Sequence, residues 1–251
     1  MGIFMKLDDV KKLHQKKYRT EFGHYLVEGE HLILELQKAI KNRADAGRMT
    51  LYITESHQDW ACQLPADFQL VVLNEKQMAQ LSDTKTPQGM IACVPLPEPG
   101  SLPAPQQGER CIYLHEVQDP GNLGTIIRTL AWFGQFRLLL SPNSVDPFNS
   151  KVVRASMGAI FHLPVEQDVV LDELPQRFSR FAYLDLQGQN ISAPGFAGYH
   201  CYLFGNEARG VPSEALQAFS ADAFTIAGCG SIDSLNLASS VGICAYQLSL
   251  T

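Results

Sequence analysis

Asn122 and Arg128 share the segment 119–134 (DPGNLGTIIRTLAWFG), in which Asp119 is the only other charged residue. Pro120 and Gly121 break the apolar run that precedes them. A helix follows, and Gly134 stands where such a helix ends. Arg128 falls one to two turns into that helix and can point back toward the strand ends. Ile126, Ile127, Leu130 and Ala131 pack inward and hold it on a rigid element. A guanidinium so placed can orient an anion or stabilise developing charge; by residue type alone it equally suits a surface ion pair. A second segment, 203–211 (LFGNEARGV), puts Gly205 directly after an apolar run, where a ligand can approach the backbone closely. Glu207 beside it can accept from a hydroxyl or amine, or complete a surface turn with Arg209. The third segment, 226–246 (IAGCGSIDSLNLASSVGICAY), is a glycine-punctuated loop running into an apolar helix. Ser234 there is a good N-cap. Asn236 opens the apolar stretch and, if buried, needs a partner. Gly242, with Ala238, Ser239, Ser240 and Ala245 around it, suits close backbone packing, including against a second subunit.

Other chemistries lack their signatures. There is no GxxxxGK and no GxGxxG, which argues against a Walker loop and a dinucleotide-dependent oxidoreductase. GNLG matches the GxxG loop of KH domains only as a bare tetrapeptide, and the preceding strand fits that fold poorly. The six cysteines include no CxxC pair and the seven histidines no HxxxH or HExxH, so neither a disulfide framework nor a metal is expected. Residues 1–6 (MGIFMK) are too short for a signal-peptide core, and no apolar run reaches a membrane-spanning length of roughly 18 residues. The expectation is a soluble, cytoplasmic protein.

The elements that position these residues alternate between apolar runs and helical periodicity. In the C-terminal part, strands are expected at 111–115, 136–140, 161–165, 181–185, 201–204 and 223–226. Helices are expected at 123–133, 150–158, 171–178 and 234–248, with a short one after Pro212. Such alternation predicts a mostly parallel sheet covered on both faces. The N-terminal part reads as helix 7–16, strand 25–28, helix 29–41, strands 51–54 and 70–73, helix 75–81 and strand 89–94, a small α/β/α sandwich. Between them runs a stretch with prolines at 95, 97, 99, 103 and 105. Proline lacks an N–H and fixes φ, so this is an extended spacer. The expected organisation is therefore domain 1–94, linker 95–109 and domain 110–251. Charge follows the same division. Residues 1–50 hold ten Lys/Arg against seven Asp/Glu, a balance of +3, and the remaining residues carry the other −9 of the net −6. Lys16, Lys17 and Arg19 belong to the basic segment, which suits either a phosphate-facing patch or a solvated helix face.

The three segments, in this order and at these separations, resemble the three motifs of the SpoU/TrmH family, RNA 2′-O-ribose methyltransferases of the SPOUT superfamily. The opening KKLHQKKYRTEFGHYLVEGEHLI resembles the substrate-binding domain often fused to them. The resemblance implies an α/β trefoil-knotted methyltransferase domain preceded by a small RNA-binding domain. It also implies a homodimer, with S-adenosyl-L-methionine as cofactor and RNA, ribosomal before transfer RNA, as substrate. On this footing Asn122, Arg128, Glu207, Ser234 and Asn236 carry the chemistry. Gly205, Glu207, Ile226, Gly230, Ser234, Leu235 and Asn236 hold the cofactor, and Lys16, Lys17 and Arg19 grip RNA. Ala227 and Gly228 stand where Pro and Met are usual, and Ala208 where Gly is usual. Presence of Arg128, Glu207, Ser234 and Asn236 counts against a non-catalytic RNA-binding protein on the same fold.

Overall fold

The computed structural model describes residues 5–40, 47–66, 68–98 and 100–251. Residues 1–4 of the N-terminal reading, the last residue of helix 29–41 and Pro99 of the spacer lie outside the described residues. The chain forms two compact units, Met1–Gly100 with Asp146–His162, and Ser101–Val145 with Leu163–Thr251.

The first unit has helices α1 (Leu7–Lys12), α2 (Lys16–Phe22), α3 (Glu30–Ala39), α4 (Gln58–Cys62) and α5 (Glu75–Leu81), and strands β1 (His24–Glu28), β2 (Thr50–Thr54), β3 (Gln69–Leu73) and β4 (Met90–Pro95). Its sheet runs β1-β4-β2-β3, with β4 antiparallel to both β1 and β2, and β2 parallel to β3. The expected helix 7–16 is interrupted at residues 13–15, and α4 was not foreseen. Helix α5 starts at Asn74, whose side chain exchanges hydrogen bonds with Gln77 in a capping box. Val10, Leu13, Leu26, Tyr52, Met78 and Ile91 are buried together beneath these helices.

The segment Asp146–His162 completes this unit. Its Phe148 ring packs on Tyr25 at 4.8 Å. The Cβ position of Gly158, at φ 90°, lies against the Glu35 side chain. Arg154 pairs with Asp83, and Ser150 donates to Asp83 at 2.5 Å. Here the structure departs from the expected strand 161–165: residues 159–161 make a 3-10 turn and pairing is confined to Val165–Glu166.

The second unit is built on six strands: β5 (Arg110–Leu114), β6 (Phe136–Leu140), β7 (Val165–Glu166), β8 (Ala182–Asn190), β9 (Cys201–Phe204) and β10 (Asp222–Thr225). Their order is β10-β8-β9-β5-β6-β7 and every pairing is parallel. All five residues of β6 and all four of β9 are buried, as expected for strands covered on both faces. The helices of this unit are α6 (Pro120–Phe133), α8 (Leu174–Arg177), α9 (Ser213–Ala218) and α10 (Leu237–Ser249); α7 (Ser150–Ala155) belongs to the first unit. Buried tyrosine hydroxyls keep partners: Tyr113 donates to Val169 O and Tyr202 to Phe196 O. Burial pushes the Tyr202 hydroxyl up to about 12. Among the described residues no helix is long and apolar enough to cross a membrane.

Candidate active site

Helix α6 carries two of the expected residues, and its sequence explains how it is placed. The Asp119 carboxylate accepts from Asn122 N at 2.7 Å, Pro120 fills the first turn, and Gly134 takes φ 69° at the far end. Leu123, Ile126, Ile127 and Leu130 recur at helical spacing and are buried. That leaves Gly121, Thr125, Arg128 and Trp132 along the exposed stripe. Arg128 is exposed and makes no hydrogen bond or ion pair with a described residue. Its guanidinium is therefore available to an incoming anion.

The loop after β9 folds round Asn206. Its Oδ1 accepts from Ala208 N and Arg209 N at 2.9 and 3.0 Å, and its backbone pairs with Gly210. A Cβ on Gly205 would stand 2.2 Å from the Gly210 carbonyl carbon, so no side chain fits there. This fold turns Glu207 toward the start of α6. Its carboxylate accepts from Gln118 N at 3.3 Å, Asp119 N at 3.4 Å and Asn122 Nδ2 at 3.3 Å. Asn236 Nδ2 in turn donates to Asn122 Oδ1 at 2.9 Å. Glu207, Asn122 and Asn236 thus form one hydrogen-bonded chain joining three loops at the carboxyl ends of a parallel sheet, the usual place for a ligand in such folds.

The structure differs from the sequence reading at several of these positions. The N-cap of α10 is Asn236, not Ser234: Asn236 Oδ1 accepts from Ala238 N and Ser239 N. Asn236 is exposed, not buried, and capping accounts for its place at the head of an apolar helix. Ser234 is exposed and has no hydrogen bond to a described residue. Gly242 faces Thr129 of α6 in the same chain at 3.7 Å, so that packing is internal. Arg209 pairs with Glu116 across the loops and not with its neighbour Glu207.

Residues 227–236, which include Gly230 and Leu235, are all exposed and irregular. None of the amides of 227–235 makes a backbone–backbone hydrogen bond with a described residue. Ile232 is 70% exposed and Leu235 44%. Open amide donors beside exposed apolar side chains suit a ligand that is part polar and part aromatic. Ile226 lies just before this loop and is partly exposed, and Gly230 takes φ 79°.

In the first unit, Lys11, Lys12, Lys16 and Lys17 are exposed. Lys12 and Lys17 lie 5.7 and 5.5 Å from the centre of the Tyr18 ring. Arg19 does not join them. It is 3% exposed, with Nε and Nη2 on Asp146 and Nη1 on the carbonyls of Leu13 and His14. A buried guanidinium with four hydrogen bonds inside the fold is structural, which corrects its expected RNA contact.

Sequence reasoning passed over Glu116, Gln118, Asp119 and Asn206. Asp119 was accessible as the cap before Pro120; the others act through tertiary hydrogen bonds with no local signal.

The SpoU rRNA methylase family model matches residues 109–246. The chain belongs to that family. An MRM3-like substrate-binding domain model matches residues 5–92. Among similar proteins is the 23S rRNA (guanosine(2553)-2′-O)-methyltransferase RlmP of Bacillus subtilis, 31% identical over 97% of this chain and 95% of its own length. A TrmH-family protein from Porphyromonas gingivalis superposes with a TM-score of 0.79 at 30% identity, covering 98% of each chain. An AdoMet-bound rRNA methyltransferase from Sinorhizobium meliloti does so with a TM-score of 0.78 at 26% identity, covering 99% of this chain and 96% of its own. In this SpoU methylase the matched span contains Asn122, Arg128, Glu207 and Asn236.

Proposed function

We propose that this SpoU-family methyltransferase moves a methyl group from S-adenosylmethionine to a ribose 2′-hydroxyl of ribosomal RNA. The observation that carries the reading is the Glu207–Asn122–Asn236 hydrogen-bonded chain beside an open Arg128 on the same helix. Likeness to a B. subtilis enzyme of 23S rRNA favours ribosomal over transfer RNA.

The exposed loop 227–236 fits the cofactor: its unpaired amides can meet polar edges, and Ile232 and Leu235 can cover an aromatic base. Gly205, Ile226, Gly230, Leu235 and Asn236 would hold it, with Ser234 free to bond to it. When bound, the cofactor supplies an activated methyl on a sulfonium. The 2′-oxygen must lose its proton, to water, as it gains that methyl, so the protein's task is placement and charge control. A guanidinium is a poor base, with a pKa above roughly 12. Arg128 therefore orients the nucleotide through a phosphate and stabilises charge on the attacking oxygen. Asn122 holds its amide between Glu207 and Asn236, which sets the floor against which the ribose is placed.

The first unit grips RNA through Lys16 and Lys17, and the second is the catalytic domain, with its C-terminal loops threaded as a trefoil knot. A homodimer forms over α6 and α10. These helices meet at Thr129/Gly242 and at the Phe133 and Tyr246 rings, 6.0 Å apart. They expose Trp132 (84%), Ile243 and Tyr246, with Leu250 just past the end of α10, and α10 bears no charged residue, a composition that suits an interface core. Sedimentation of Trp132→Asp should show a smaller species than wild type; an unchanged sedimentation coefficient rejects this face. Likeness to a bacterial enzyme of 23S rRNA supports a cytoplasmic location. The decisive test is incubation with labelled S-adenosylmethionine and ribosomal RNA. Incorporation at one ribose is expected, and none at enzyme-equivalent amounts rejects the reaction.

A further inference from the structure

Glu116 is held at φ 52°, a left-handed conformation that favours glycine, yet all of its polar groups are engaged. Its amide donates to Ser141 Oγ at 2.7 Å. Its carbonyl accepts from Asn206 Nδ2 at 2.6 Å and from Gln118 Nε2 at 3.0 Å. Its carboxylate pairs with the Arg209 guanidinium. These partners belong to the loops after β5, β6 and β9, so one residue links all three. Gln118 adds a bond to Asn143 O at 2.7 Å, and Asn143 is itself at φ 64°.

Stability does not explain this arrangement. The Arg209 side chain is 69% exposed, and an ion pair that open contributes little. Glycine would adopt the Glu116 backbone without strain. What glycine lacks is the carboxylate, and the carboxylate holds Arg209, two residues from Glu207. The loop 205–210 is thus held at Asn206 and at Arg209, with Glu207 between them reaching Asn122. Strain retained at such a junction is a mark of function.

We propose that Glu116 and Arg209 are a positioning pair for methyl transfer, clamping the loop after β9 onto the loop after β5 so that Glu207 meets Asn122. This rests on the methyltransferase reading above and deepens it.

The test uses Glu116→Gly, Arg209→Gln, their double variant and the charge swap Glu116→Arg/Arg209→Glu in the full chain. Glu116→Gly should keep or raise Tm, because it relieves the backbone, while kcat falls about tenfold or more and KM for RNA holds. The double variant should be no worse than the more impaired single, since the pair acts as one unit. The swap should recover kcat to within about threefold of wild type, an Arg–Glu pair of either polarity bridging the same loops. Unchanged kcat in both singles, or losses that multiply in the double, overturns the proposal. Amide exchange gives a readout independent of turnover: the amides of Ala208 and of position 209 should exchange about tenfold faster in Arg209→Gln than in wild type. If wild type methylates no RNA, the reaction falls, and the clamp is still decided by that exchange, an unchanged rate overturning it.

Discussion

Arg128 stands on the exposed stripe of α6 with no described acid to neutralise it. Its replacement by alanine should therefore cost little stability and much turnover. Arg128→Ala is expected to lower kcat by about 10²–10³ with cofactor affinity and Tm unchanged, by analogy with losing one donor to a developing anion. Full methyl incorporation by this variant removes the arginine from the chemistry. Asn236 behaves differently because it does two things at once. Asn236→Ala removes the cap of α10, worth about 1 kcal/mol, and frees the Asn122 amide. Both Tm and kcat should fall; a drop in Tm alone would reduce Asn236 to a cap. Legibility at this scale was uneven. Asn122, Glu207 and Asn236 stood out through the resemblance of three glycine-rich segments to the family's motifs, and the structure joins them in one hydrogen-bonded chain. Ser234 was given the cap because serine is chemically suited to it, but the cap lies two residues past that position, at Asn236, and asparagine fills the role equally well.

At the scale of elements, apolar runs closed by sharp breakers were readable to the residue: β6, β9 and α5 lie at their expected bounds. Helix 7–16 was not, since a basic run offers no breaker and the interruption at 13–15 comes from Leu13 turning into the core. Strand β8 runs past the expected end at 185 to Asn190, because β10 shifts register at Ala223/Phe224 and pairs with its far end. Arg19 was misread for a plainer reason: Asp146 lies 127 residues away. Both side chains are buried, at 3% and 8% exposure, so removing one leaves an unpaired buried charge. Arg19→Met should destabilise the first unit by about 3–5 kcal/mol, read as a shift in urea midpoint. An unchanged midpoint would mean that the pair is not formed in solution.

At the scale of the whole molecule, the net charge of −6 conceals a basic N-terminal segment. Lys16 and Lys17 are exposed, and Lys17 lies against the Tyr18 ring, which suits a phosphate backbone with bases stacked nearby. In Lys16→Ala/Lys17→Ala, the slope of log K against log salt for RNA binding should flatten by about 1.5, two contacts at roughly 0.7–0.9 each. An identical slope would take these lysines out of the interface. Charge asymmetry pointed to these exposed lysines, whereas the path of the backbone was hidden. The chain leaves the second unit after Val145, runs through Asp146–His162 in the first, and returns at Leu163. Neither half is therefore one uninterrupted stretch of gene. A fragment ending at residue 100 would be born with Arg19 lacking its acid and Tyr25 lacking the ring of Phe148, and it should misfold or clump. Exchanging substrate specificity between relatives by swapping N-terminal halves would carry the same defect unless the short return segment travels with them.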